Sequence, residues 1–283
     1  MPPSDPAELV VAGAKSWTPR PEADARRGPV SHREAAAPRE NEPGGQGLNE
    51  AGGGFRTQNL TGPPRDWLLW QLADSAFPAG GFAHSAGLEA AFQQRELRNP
   101  EELADFIEAS LRQLGHASLP FMMSAYDEPE KWLELDRACD NFTTNQVANR
   151  ASRLQGRALL ASAERIFPQG QLQKIHGLAR ESQAAAHLGP IFGVIIRQLG
   201  LAREDAARLF MFYHLRGLIS ASVRLGLIGP LQGQSVQERL GAVAERILVR
   251  CRMISVDAIA QTAPLLELWQ ANHDRLYSRL FQS

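Results

Sequence analysis

The chain has 283 residues, of which 43% are hydrophobic, and its formal net charge is -1 at pH 7. This length and composition suit a globular protein with a sizeable core in one large or two small domains. The small net charge excludes broad electrostatic attraction to nucleic acid or to an acidic membrane surface, so we expect neither as a partner.

Membrane insertion, secretion and disulfide bonding all lack support in the sequence. No run approaches the roughly 18 consecutive apolar residues of a membrane-spanning helix, and the N-terminus lacks the basic start and apolar middle of a secretory signal. Cys139 and Cys251 lie far apart and have no neighbouring cysteine, so we expect buried free thiols. A cytoplasmic protein is the resulting prediction.

Residues 1–64 are rich in Pro, Gly, Ala, Arg and Glu and show little apolar periodicity. A segment of this composition buries too little apolar surface to offset the entropy lost on ordering. The sequence therefore predicts a disordered tail over 1–64.

From Asp66 onward the composition shifts to strong helix formers, which predicts a single all-α domain of about ten helices over 65–283. The first helix lies near Trp67 and is ended by a turn at Pro78 and the pair Gly80-Gly81. The pair provides positive φ, and it also permits close approach of another backbone, which suits a contact between subunits. A second helix is predicted to start near Ser85, with the Ser85 hydroxyl as its cap.

The clearest periodicity is an i, i+3, i+4, i+7 stripe of mostly apolar residues over three turns, which predicts a helix with one face on the core. Its members are Leu103, Phe106, Ile107, Ser110, Leu111 and Leu114. Turn signals such as Gly189-Pro190 and Gly229-Pro230 separate further predicted helices. These span 130–141, 145–167, 171–187, 190–200, 203–226, 235–252 and 255–270. No internal repeat has a fixed period, so an α-solenoid is the less favoured alternative.

Motifs for enzymatic chemistry are missing from the sequence. None of the three lysines follows a glycine, so there is no phosphate-binding loop of the Walker type, and neither HExxH nor GxSxG occurs. No two of the seven histidines are three or four residues apart, as ligands on one helix would be. We therefore predict a protein that is not an enzyme and that has no metal site.

The predicted helix 145–167 carries Arg150, Arg153 and Arg157 on one face. A solvated face is the favoured interpretation, and a polar groove between helices or subunits is the alternative. The opposite, apolar face is predicted to contain Val147, Ala151, Leu154, Ala158 and Ala161.

The last residues are unusually apolar and aromatic for a chain end. Leu276 and Leu280, Tyr277 and Phe281, and Arg275 and Arg279 form three pairs at helical i, i+4 spacing. Either this segment folds back on the core of its own chain or it docks on a partner, for which Tyr, Phe and Arg are typical contact residues.

Two stretches resemble the UreF family of urease accessory proteins, and the resemblance extends over 66–283. The first reads Pro-x-Gly-Gly-Phe-x-His-Ser-x-Gly-Leu-Glu over 78–89, and the second reads Leu-Tyr-Ser-Arg-Leu-Phe-x-Ser over 276–283. Membership would imply an all-helical, non-enzymatic protein that dimerises, binds UreD (also called UreH) and recruits the GTPase UreG. That complex inserts nickel into apo-urease.

The resemblance also implies a partner-binding surface and no tightly bound cofactor, with nickel handled transiently by the complex and GTP bound by UreG. The predicted partner-binding residues are Phe82, His84, Ser85, Glu89, Tyr277, Arg279 and Phe281, next to a turn shaped by Pro78, Gly80 and Gly81. His84 could instead cap a helix or bond a backbone carbonyl. Two functional alternatives stay open. One is a nickel-binding metallochaperone using His84, His273 or the cysteines, and the other is a regulator of UreG in which Arg279 acts as an arginine finger.

Overall fold

The computed structural model describes residues 65–168 and 170–283, and the predicted tail over 1–64 lies outside them. The described part contains eleven α-helices and no strand, which confirms the all-α prediction. The helices are α1 (Arg65–Ala73), α2 (Leu88–Gln93), α3 (Pro100–Ala117), α4 (Leu119–Asp127), α5 (Trp132–Phe142), α6 (Gln146–Ile166), α7 (Gly170–Glu181), α8 (Leu188–Gln198), α9 (Arg203–Arg224), α10 (Pro230–Cys251) and α11 (Pro264–Asn272). Short 3₁₀ helices lie at Gly81–Ala83, Pro129–Lys131, Val256–Ala258 and His273–Arg275.

Helix α8 forms the centre of the bundle and packs against α4, α5, α6 and α9. Every residue from Gly189 to Ile196 is buried, as expected for a helix that is apolar on all sides. Gly193 permits the close packing of α8 on α4, because a Cβ atom at this position would lie 2.2 Å from the carbonyl oxygen of Met122.

The buried N-terminus of α8 is capped by side chains of two neighbouring helices. The Asp136 carboxylate on α5 accepts hydrogen bonds from the backbone amides of Ala186 (2.9 Å) and His187 (2.7 Å). The Ser152 hydroxyl on α6 accepts one from the Leu188 amide at 3.1 Å. A carboxylate at this end also interacts favourably with the helix dipole, so these contacts fix α5 and α6 to α8.

The apolar stripe predicted between Leu103 and Leu114 lies on α3 and is confirmed as a core face, since all of its members except the partly exposed Leu114 are buried. The helix begins where Asn99 accepts a hydrogen bond from the Glu102 amide at 2.9 Å. Helices α9 and α10 pack on the same helix.

Several predicted boundaries are wrong. Helix α4 was not predicted, because nearly all of its residues are buried and its sequence has no polar face to produce a period. Helix α2 begins at Leu88 rather than near Ser85, since Gly87 adopts a left-handed conformation (φ 87°) immediately before it. The Ser85 hydroxyl is therefore not its cap, although it lies 3.5 Å from the Glu89 amide.

Three other predicted helices begin or end at different residues in the structure, because of the local backbone conformation or the position of a proline. The predicted helix 171–187 ends at Glu181, where Gln183 and Ala186 adopt positive φ. The predicted helix 255–270 begins only at Pro264, and α10 starts early at Pro230, because proline is favoured in the first turn of a helix.

Cys139 and Cys251 are both buried and unbonded to each other, which confirms the prediction of free buried thiols. Across the described ranges, none of the helices has the length and apolar character that crossing a lipid bilayer requires.

Candidate partner-binding site

The signature loop, residues 78–89, is held against α6 of its own chain. Gly80 has φ 76°, and a Cβ atom there would lie 2.9 Å from the Cβ of Ala158. The Ser162 hydroxyl donates to the carbonyl of Pro78 at 2.9 Å. The predicted positive φ is thus confirmed for Gly80 but wrong for Gly81, and the close backbone approach at Gly80 is to α6 of the same chain.

The C-terminal segment, residues 276–283, folds back onto this loop. The Ser85 amide donates to the Ser283 carbonyl at 2.6 Å, and the Gln282 amide donates to the Ala83 carbonyl at 2.8 Å. The side chains of His84 and Ser283 are also hydrogen-bonded, with 2.6 Å between Nδ1 and Oγ. The prediction of helical i, i+4 strips in this segment is wrong, because residues 276–283 are not helical and the 3₁₀ helix His273–Arg275 ends directly before them.

Glu89 on α2 anchors the C-terminal segment from inside the fold. Its side chain is 2% exposed, and its two carboxylate oxygens accept hydrogen bonds from the amides of Leu280 (2.6 Å) and Phe281 (3.1 Å). His273 Nε2 lies 3.1 Å from the same carboxylate, and His273 is itself buried. A buried carboxylate needs such partners, so Glu89 fixes where the segment runs.

Arg224, at the end of α9, joins the loop to the segment through its guanidinium group. That group lies 3.8 Å from the ring centroid of Phe82 and 4.3 Å from that of Phe281, and it donates to the Phe82 carbonyl. Stacking of this kind favours arginine over lysine. The sequence prediction missed Arg224 as a site residue.

The predicted partner-binding residues divide by exposure into two groups. Phe82, Tyr277 and Arg279 are exposed, and Phe82 retains 68% of its accessible surface. Ser85, Glu89 and Phe281 are buried and hold the C-terminal segment in place, so they offer no surface of their own in this fold. His84 is intermediate.

Arg279 is held at the surface by an acidic neighbour. It donates to the carboxylate of Asp274 at 3.2 Å, and Arg150 on α6 makes two hydrogen bonds to the same carboxylate at 2.8 and 3.1 Å. These contacts lower the pKa of Asp274, with the Arg150 hydrogen bond as the main cause. The C-terminal segment is thereby linked to α6 as well as to α2.

A cleft of 620 Å³ lies behind the signature loop, between α6 and α9. Small and apolar residues form most of its walls, while His84, Tyr213 and His214 contribute polar atoms. His214 Nε2 lies 2.7 Å from the Ser110 hydroxyl. Within the described ranges, no three His, Cys, Asp or Glu side chains are grouped in a way that could hold a metal ion.

Both histidines of this cleft should make stability depend on pH. Burial lowers the pKa of His214 to about 4, and burial together with the nearby His273 and Arg150 lowers that of His84 to about 4. The unfolded chain binds these protons near pH 6.5. The contribution of the two histidines to the free energy of unfolding is therefore fully present above that pH and is lost as the pH decreases toward 4.

We expect the urea midpoint to decrease between about pH 7 and about pH 5, and the decrease to shrink in a His84→Gln/His214→Gln double variant. The lowered pKa values of Asp140 and Asp274 act at more acidic pH and leave this window unaffected. An unchanged pH dependence in the double variant would contradict the assignment.

Comparison with known proteins places the chain in a family. The UreF family model matches residues 97–241. Urease accessory protein F of Oryza sativa subsp. indica is 41% identical over 219 residues, which cover 76% of this chain and 84% of the relative. The protein of the same name from Arabidopsis thaliana is 39% identical over 221 residues, covering 77% and 92%. Urease accessory protein UreF of Paenarthrobacter aurescens is 30% identical over 217 residues, covering 76% and 96%.

The family model covers the helices that pack around α8, and the alignments to the relatives each span about three quarters of the chain. The resemblance first noted in two short motifs is therefore confirmed over most of the chain: it belongs to the UreF family of urease accessory proteins.

Proposed function

We propose that the chain is a scaffold for urease maturation that dimerises, binds a UreD/UreH-type protein and recruits the GTPase UreG for nickel insertion into apo-urease. The names of the relatives support the role in urease maturation. The individual partners, the homodimer and the nickel step come from the family resemblance.

The proposal is supported by the surface formed where the C-terminal segment lies on the signature loop. Phe82, Tyr277 and Arg279 point outward from a backbone that Glu89 and Arg224 fix in place. Aromatic and arginine side chains contribute most of the binding energy in protein interfaces. Holding them in one conformation before binding lowers the entropy lost on association, so this arrangement suits recognition of a protein partner.

The chemistry of maturation is assigned to the other components of the complex. GTP binding and hydrolysis belong to UreG, and nickel passes through the assembly without a tightly held ion on this chain. In this proposal the chain is not an enzyme and contributes binding surfaces alone.

For Arg279 we favour docking over the role of an arginine finger. Its contact with Asp274, which also binds Arg150, holds the guanidinium at the exposed surface of the C-terminal segment. A finger acting on nucleotide would have to leave this carboxylate, whereas a docking residue keeps it.

The proposal is tested by restoring urease activity in cells that lack this protein and by co-purifying the chain with UreD-type and UreG proteins. We expect Arg279→Ala to restore less urease activity and to bind its partner with about tenfold lower affinity. Arg275→Ala is the matched control, because Arg275 is exposed and has no ion pair within the described residues. Normal urease maturation without the chain would overturn the scaffold role. Slower GTP hydrolysis by an Arg279→Ala complex that assembles normally would favour the finger instead.

A further inference from the structure

The outer face of α6 forms a basic groove of 420 Å³, and of its three arginines the contacts described so far involve Arg150 alone. Arg150, Arg153 and Arg157 line it at successive turns of the helix, and Thr143, Thr144 and Gln146 line the end where α6 begins. The N-terminus of a helix is positively polarised, so it adds to the field of the arginines. Among the residues that line the groove, none is acidic.

Two carboxylates are bonded to residues that line the groove, and each is shared with a residue outside it. Asp274 is bonded to Arg150 and Arg279, and Asp140 is bonded to His187 at 2.9 Å and to Asn149 at 2.9 Å. The His187 hydrogen bond is the main reason that the pKa of Asp140 is lowered, so this carboxylate is committed to the interior network.

Arg153 and Arg157 consequently lack a carboxylate within 4.0 Å anywhere in 65–168 or 170–283. Neither makes a side-chain hydrogen bond within those ranges. Two guanidinium groups one helical turn apart, about 5–6 Å between their Cβ atoms, thus lie without a direct ion-pair partner, although Arg153 is near enough to Asp140 to contribute to the lowered pKa of that carboxyl.

The shape and lining of the groove favour a protein segment over a phosphate backbone or a membrane. Leu154 was predicted to lie on the apolar face of the helix but is instead 42% exposed between the arginines, so the sequence prediction for this residue is wrong. The exposed leucine offers one apolar contact. The guanidinium groups beside it can bind two carboxylates, and the side-chain amides of the groove can hydrogen-bond to a peptide backbone.

We infer that this groove binds an acidic segment of a partner protein, with two of its carboxylates on Arg153 and Arg157 and an apolar side chain on Leu154. Two acidic residues at i, i+4 on a helix or at i, i+2 on an extended strand match the spacing of the arginines. The inference rests on the proposed scaffold function and adds a second binding surface, which Arg150 and Asp274 connect to the C-terminal segment.

The experiment measures the dissociation constants of the full chain with purified UreD-type protein, UreG and apo-urease at about 50 and about 200 mM NaCl. We expect an Arg153→Glu/Arg157→Glu double variant to bind at least one of these partners about tenfold or more weakly, with a smaller dependence on salt. Neither side chain has a hydrogen bond within the described residues, and the charge of Arg153 acts only weakly on Asp140, so the variant should unfold at a urea concentration close to that of the parent.

Two further variants act as controls. Arg165→Glu reverses an exposed charge on the same helix outside the groove and should bind like the parent. Arg153→Lys/Arg157→Lys keeps the charge and should retain most of the affinity.

Unchanged affinity and salt dependence of the double Glu variant for every partner would overturn this inference and leave the scaffold function standing. A double Glu variant that no longer binds vesicles of phosphatidylserine and phosphatidylcholine, but still binds all three proteins as the parent does, would also overturn it. A parent chain that binds none of the three proteins would overturn the scaffold function and this inference together.

Discussion

Replacing Glu89 with alanine is expected to lower the free energy of unfolding by about 3–5 kcal/mol and to release the C-terminal segment. The substitution leaves the amides of Leu280 and Phe281 without their acceptor, and it leaves His273 buried without its partner. It should therefore also abolish the proposed partner-binding surface, because Tyr277 and Arg279 are carried by the released segment.

Urea unfolding measures the loss of stability, and hydrogen exchange at the amides of residues 280 and 281 measures the release. Glu96→Ala is the matched control, since Glu96 lies on the same stretch of chain, is exposed and makes no side-chain hydrogen bond within the described residues. Continued protection of the two amides in Glu89→Ala would show that the anchor is not this carboxylate.

Replacing Gly193 with alanine is expected to lower the free energy of unfolding by about 3 kcal/mol, since the added methyl group forces α8 away from α4. Its Cβ would lie 2.2 Å from the carbonyl oxygen of Met122 and 2.9 Å from the amide nitrogen of Tyr126. Both atoms belong to the backbone, so no side-chain movement relieves the overlap.

The melting temperature should fall by about 10 °C for a domain of this size. Gly241→Ala on α10 is the matched control, because a Cβ there meets no atom within 4 Å and the helix position is exposed. That control should gain about 0.5–1 kcal/mol from the lower entropy of the unfolded chain. Equal stability of the two variants would contradict the tight packing of α4 on α8.

The helical class, the core face of α3 and the boundaries of α6 and α9 were predictable because they depend on local periodicity and composition. Helix α4 was not, since a helix buried on nearly all sides has no polar face. The non-helical course of residues 276–283 was also missed, because it is decided by Glu89, which lies nearly two hundred residues earlier in the chain.

For the candidate site, the sequence identified the two segments but not how they meet. The family resemblance predicted the same role, partner binding, for the exposed Phe82, Tyr277 and Arg279 and for the buried Glu89. Only tertiary structure separates the residues that fix the backbone from those that face outward, and only it reveals Arg224 between two aromatic rings.

If the fold holds Tyr277 and Arg279 outward for a partner, as we propose, binding and stability should be separable at these two positions. The most direct measurement determines, on one preparation of Tyr277→Ala/Arg279→Ala, its affinity for the UreD-type and UreG proteins and its free energy of unfolding. We predict an affinity about tenfold to a hundredfold lower, with the free energy of unfolding within about 1 kcal/mol of the parent. Full affinity in this variant would contradict the claim.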